Sequence, residues 1–148
     1  FGSTTSGFTS TVFRSAMGAN QGDIIAYVFA EIQGYSKIGI YEGNGSDDGA
    51  FVYTGFKPAF ILMKNIDAAE NWLIYDNKRD PDNVIAEALL PNTGGATGGS
   101  ANAMDLLSNG FKLRQSAGSL NGSNKTFTYI AFAEHPFVSS EGVPVTAR

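Results

Sequence analysis

Tyr35-Ser36-Lys37-Ile38-Gly39-Ile40-Tyr41, followed at once by Glu42-Gly43-Asn44-Gly45-Ser46-Asp47-Asp48-Gly49, is the stretch on which the fold turns. Its first part alternates with a period of two, the pattern of a half-exposed strand. Its second part is glycine with Asn and Asp, a loop by composition. The same unit, a short strand and then a glycine-rich connection, recurs downstream. Phe51 to Thr54 is a short strand ending in the turn Gly55-Phe56-Lys57-Pro58. Ala59 to Asn65 reads as a central strand with Phe60, Ile61, Leu62 and Met63 buried, and Asn71 to Asp76 as the next. Gly110 to Gln115 alternates again, and Thr126 to Glu134 is an aromatic strand. Upstream, Asp23 to Ile32 is apolar and β-branched and reads as a buried strand, with a further one over Phe8 to Arg14.

Between these lie segments of a different character. Asp76 to Asn83 is charged and broken by Pro81, a loop; Pro91 to Asn102 is rich in Gly, Thr and Ser and reads as a mobile connection. Met104 to Leu107 suits a short strand or a helical turn, and so, on its residues alone, does Val84 to Leu90. About eight to ten strands at intervals of roughly 8–12 residues mark a sandwich or barrel. Long glycine-rich connections favour a jelly roll over a meander. The expected class is all-β, a two-sheet antiparallel sandwich. Its core is expected to hold Tyr27, Phe29, Phe60, Leu62, Trp72, Ile74, Phe111, Leu113, Tyr129 and Phe132.

Composition sets the outer limits. A chain of 148 residues can bury a substantial core. Its net charge of −4 and lack of a basic stripe argue against nucleic acid as a partner. With no cysteine, disulfides contribute nothing, and stability rests on packing or assembly. No apolar run is long enough for a membrane helix.

The chain also repeats itself. Gly7-Phe8 opens a stretch closing on Phe29-Ala30-Glu31, and Gly110-Phe111 opens one closing on Phe132-Ala133-Glu134. Both span 25 residues, and they are offset by 103. The pattern suggests the end of one structural unit followed by a whole second unit. Residues 1–22 are therefore read as an arm and the end of a preceding unit, 23–137 as the sandwich domain, and 138–148 as a polar tail.

At this point the residues resemble a known module. The run from Glu31 to Lys64, including Gly34-Tyr35-Ser36-Lys37-Ile38-Gly39-Ile40-Tyr41 and Tyr53-Thr54-Gly55-Phe56-Lys57-Pro58, is similar to one common in structural proteins of marine tailed bacteriophages. So are Asn71-Trp72-Leu73-Ile74-Tyr75-Asp76-Asn77-Lys78-Arg79, Leu89-Leu90-Pro91-Asn92, Leu107-Ser108-Asn109-Gly110-Phe111-Lys112-Leu113-Arg114 and Ala131-Phe132-Ala133-Glu134-His135-Pro136-Phe137. The resemblance implies a concanavalin-like jelly roll and a strand over Val84 to Leu90. It also implies tandem modules, each ending near a Phe-Ala-Glu strand. The implied role is that of a tail-fibre or other virion structural protein, made in the host cytoplasm and assembled with copies of itself, by default as a trimer, and with other virion proteins. It brings no catalytic residues.

The residues themselves offer little chemistry. The single His135 cannot form a histidine metal cluster, and no cysteine helps it. Asn44-Gly45-Ser46-Asp47-Asp48-Gly49 is acidic and glycine-rich but lacks the spacing and distal Glu of a calcium loop. Glu31 and Glu134 invite comparison with a glycosidase pair. Their equivalent places in a repeat favour a structural device instead, such as binding a turn's backbone N–H groups or pairing with Lys or Arg. No enzyme, metal or cofactor is expected. Sugar contact is the more plausible activity, with an exposed aromatic as platform beside an Asn/Asp loop. Tyr35, Tyr41, Tyr53, Trp72 and Tyr75 are the available aromatics, and of these Tyr41 and Trp72, with Asn44, Asp47 and Asp48, form the candidate glycan contact. Two expectations result. The first is a self-assembling virion module of a tail fibre, appendage or capsid decoration. The second is a receptor-binding module for bacterial surface polysaccharide.

Overall fold

A computed structural model describes residues 27–94 and 98–136. The expected strand at Phe8 to Arg14, the arm at 1–22 and the tail at 138–148 lie outside the described residues. Eight strands follow in chain order: β1 (Ser36–Glu42), β2 (Phe51–Tyr53), β3 (Pro58–Asn65), β4 (Leu73–Asp76), β5 (Ile85–Ala88), β6 (Gly98–Leu107), β7 (Gly110–Leu113) and β8 (Thr126–Ala133). They form two antiparallel four-stranded sheets, ordered β1-β8-β3-β4 and β2-β7-β6-β5. The molecule is the expected all-β sandwich. The pairs β1·β8 and β2·β7 nest one inside the other, the long-range wrapping of a jelly roll, while β3·β4 and β5·β6 are neighbours in sequence.

The core lies between the sheets. The first sheet contributes Tyr41, Ile61, Met63, Leu73, Tyr75, Phe127, Tyr129 and Ala131. The second contributes Val52, Ile85, Met104, Leu106, Phe111 and Leu113. Aromatic rings knit the two together. Tyr41 stacks on Phe127 with centroids 4.9 Å apart, and Phe111 meets Tyr129 edge-on at 5.5 Å. Burial of each such ring contributes roughly 1.5–3 kcal/mol. Burial also pushes the Tyr75 hydroxyl up to about 12.

Of the expected core, Phe111, Leu113 and Tyr129 are buried. Phe60, Leu62, Ile74 and Phe132 are not: they stand half-buried on the other side of the first sheet. An unbroken apolar run such as Phe60-Ile61-Leu62-Met63 carries no alternation to say which parity points inward. Pairing decides it, because Met63 stands opposite Tyr129 and Ile61 opposite Ala131, whose side chains face the second sheet.

Two further expectations are corrected. Tyr27 to Ala30 form no strand, and Tyr27 is 79% exposed. The equivalent residues of the second repeat lie in β8 between β1 and β3, so that place in the sheet is already filled. The stretch Pro91 to Asn102 is not all connection, because β6 begins at Gly98. Small residues give no periodic signal there, yet the backbone pairs with β5, Ala88 opposite Gly98 and Glu87 opposite Gly99. Val84 to Leu90 does contain a strand, as the resemblance implied.

The two sheets differ on their outward sides. On the second sheet Lys112 stands opposite Asp105, whose carboxylate accepts from Arg114 at 2.5 Å. On the first sheet the pairings Ile38–Ile130, Ile130–Leu62 and Leu62–Ile74 run one aliphatic row across all four strands. Phe132 and Phe60 sit opposite each other beside that row, and Ile40 and Trp72 flank it, 69% and 39% exposed. An antiparallel sheet with one face on the core ordinarily turns a polar face to water. This sheet carries an apolar stripe on its outward face as well, bordered by Lys64, Thr128 and Asp76.

Candidate functional site

The Gly43–Gly49 loop is built around a side chain from a distant part of the chain. Asn121 is fully buried. Its Nδ2 lies within donating distance of Asn44 Oδ1 (2.9 Å), Ser46 O (2.8 Å) and Gln115 O (3.0 Å), and its Oδ1 accepts from the Asn44 backbone N–H at 3.0 Å. Gly43 is required at the foot of the loop, since a Cβ there would lie 2.3 Å from the carbonyl oxygen of Gly122. Asn44 also donates to Asp48 O and accepts from Ser46 N–H. Its amide is therefore spent within the loop. Asp48 pairs with Lys112 at 2.8 Å, and that hydrogen bond holds its carboxyl below the usual range. Asp47 is exposed. Among the described residues no three His, Cys, Asp or Glu side chains converge as a metal site requires.

Of the two aromatic candidates, Tyr41 lies at the foot of this loop and Trp72 far from both. Tyr41 is not a sugar platform. It is 8% exposed, one ring face lies on Phe127, and its hydroxyl donates to Leu120 O at 2.6 Å. The alternation of β1 points it inward with Gly39, and burial raises its hydroxyl far above the ordinary value. Trp72 precedes β4, at the sheet edge opposite β1. Three strand spacings, roughly 14 Å, separate those edges. Its backbone N–H donates to Asn92 Oδ1 at 2.9 Å, and it lines a shallow hollow of about 370 Å³ with Leu62, Ile74, Pro91 and Asn92. That hollow continues the aliphatic row.

Glu31 and Glu134 behave as the repeat suggested. Glu31 pairs with Lys37, and Glu134 with Lys57 at 2.8 Å while also accepting from Asn77 Nδ2. The Lys57 hydrogen bond holds the Glu134 carboxyl below its ordinary value. A general acid needs the opposite shift.

A second hollow, of about 460 Å³, opens between the edges of the sheets where β1 and β2 face each other. Glu31, Gln33, Gly34, Ser36 and Lys37 line one wall and Tyr53, Thr54 and Gly55 the other. On the far side of the sandwich the edges are joined, Ile74 exchanging backbone hydrogen bonds with Leu89 at 2.9 Å. Among the described residues no such bridge joins β1 to β2. Sequence reading noted Tyr53 and Glu31 singly but missed their convergence with Gln33 and Lys37. The local signal was the tight turn in which Ile32 pairs back onto Ser36.

Fold and surface thus define a two-sheet antiparallel sandwich module with an apolar stripe on one outer sheet face and a groove of mixed polarity at its edge. Residues 1–136 match the family described as Domain of unknown function (DUF7483), and the chain belongs to that family. No curated protein and no solved structure matches it. Among the described residues no helix is long and apolar enough to cross a membrane.

Proposed function

We propose that this domain is a structural module of a tailed-bacteriophage appendage, such as a tail fibre, that assembles with copies of itself in the virion. The observation carrying the reading is the aliphatic row Ile38–Ile130–Leu62–Ile74 with its flanking Phe60, Phe132, Ile40 and Trp72. A contiguous apolar sheet face of this kind marks a protein contact. Neighbouring copies supply a matching surface, and the repeated Phe-Ala-Glu anchor suits a modular fibre. The bacteriophage assignment rests on the sequence resemblance. The outward side of the second sheet is more mixed, its Asp105–Arg114 and Asp48–Lys112 pairs standing beside exposed Phe51 and Tyr53.

Light scattering on the purified chain tests this. The expected mass is that of a trimer, following the resemblance. A single-chain mass at all concentrations would overturn self-assembly by this domain.

A further inference from the structure

We propose that the groove between β1 and β2 binds a neutral saccharide, with Tyr53 as its stacking platform. The site is distinct from the apolar sheet face and from the Gly43–Gly49 loop. Its volume of about 460 Å³ falls within the range of small-molecule sites.

Four features give the groove its chemistry. Tyr53 is 64% exposed, and its ring lies over Gly55, the hydroxyl oxygen 3.6 Å from where a Cβ would stand. The ring thus rests on a glycine at φ +83°, a conformation that side chains rarely adopt. A half-open aromatic ring suits the C–H face of a pyranose. Second, Gln33 is exposed, and among the described residues its amide has no hydrogen-bond partner. It offers both a donor and an acceptor. Third, the Glu31–Lys37 pair sets a carboxylate beside an ammonium, with side chains 49% and 36% exposed. Fourth, the remaining hydroxyls are committed to the frame. Ser36 Oγ donates to Ala30 O at 2.7 Å and Thr54 Oγ1 to Phe56 O at 2.6 Å, which fixes the walls.

The charge balance selects the ligand class. Lys37 is compensated by Glu31, so among the described residues the groove has no free cation for a phosphate or a carboxylate. The charged Glu31 and Lys37 and the amide of Gln33 in its walls disfavour a lipid tail. A sugar hydroxyl both donates and accepts, and neighbouring hydroxyls match the alternation of Glu31, Lys37 and Gln33. An extended peptide would pair along the β1 edge and leave Tyr53 unused, so the aromatic shelf argues for the saccharide.

Saturation-transfer NMR on the full chain with dextran, mannan and chitin oligosaccharides as probes provides the test. The expected result is transfer to ring protons of at least one probe, weakened about tenfold in Tyr53→Ala and reduced in Gln33→Ala. Asp47→Ala, in the separate Gly43–Gly49 loop, should leave it unchanged. Both groove positions are solvent-facing, and circular dichroism verifies that each variant folds. Absence of transfer from all three probes, or transfer indifferent to both groove substitutions, overturns the proposal.

Discussion

Ile38 and Ile74 lie on opposite edge strands of one sheet and are joined, through Ile130 and Leu62, into a single aliphatic row on the side away from the core. Each strand of that sheet therefore carries apolar residues on both faces. Two-sided apolar patterning belongs to sheets covered on both sides. The inner cover is the second sheet. The proposed outer cover is a neighbouring copy.

A charge in the middle of the row should separate the copies without unfolding them. Leu62→Glu leaves Ile61 and Met63, the inward neighbours, in place. The expected outcome is a fall in scattering mass to that of one chain, with an unchanged β-type circular dichroism spectrum. Burying an unpaired carboxylate costs several kcal/mol, enough to weaken association by about a thousandfold or more.

Residues on opposite faces of β8 should respond differently to truncation. Phe127 is fully buried and stacked on Tyr41, so Phe127→Ala should cost about 3–5 kcal/mol in urea unfolding. Ile130 faces outward, so Ile130→Ala should cost well under that in dilute solution and act chiefly on association. Equal losses for the two at low concentration would contradict the observed parity.

The loop around Asn121 should depend on that side chain more than on its own acidic residues. Asn121→Ala removes the amide that ties Asn44, Ser46 and Gln115 together and should destabilise by about 2–3 kcal/mol. Asp47→Ala, at an exposed position, should stay within about 0.5 kcal/mol. Urea midpoints for the pair check this directly.

Acid should weaken the fold through identifiable carboxylates. Asp80 accepts from the backbone N–H groups of Glu87 and Ala86, both at 2.7 Å, and these bonds hold its carboxyl below the ordinary 3.8. The Lys57 hydrogen bond likewise holds Glu134 below 4.5. Because the folded values are depressed, the unfolded chain takes up these protons first as pH falls. The stability they provide is complete above the ordinary values and disappears as pH drops through the folded ones. Lys37, raised above 10.5 by its hydrogen bond to Glu31, acts in the other direction: its contribution is lost only as pH rises through that folded value. Urea midpoints should hold near neutrality with respect to these groups and decline in acid, and Asp80→Asn should flatten part of the decline. An unchanged acid slope in that variant would contradict the assignment.

Much of the strand layout was legible because alternation and glycine-rich turns are local signals. Tyr35 to Tyr41 anticipated β1, and Gly110 to Gln115 anticipated β7. The pairing of Glu31 and Glu134 with lysines also followed from the repeat. Face assignment was not legible, because Phe60 to Met63 is apolar at every position and only the partners across β8 choose a side. In β1 the alternation was legible but its sense was not, since Ile38 and Ile40 take the outward side and Tyr41 the core. The start of β6 was hidden by Gly98, Gly99 and Ser100, whose pairing is a backbone property. The groove was hidden because Lys37 and Tyr53 belong to strands of different sheets, which come together only at the sandwich's edge.

The claim that copies cover the outer sheet face is tested most directly by thiol labelling, since the chain has no cysteine of its own. Ile40→Cys places one thiol beside the aliphatic row, and Glu87→Cys places one on the exposed second sheet. The expected result is slow labelling at residue 40 that becomes fast on dilution or in the Leu62→Glu background, with fast labelling at residue 87 throughout. Labelling at residue 40 that is independent of concentration, whether fast or slow, would contradict assembly through this face.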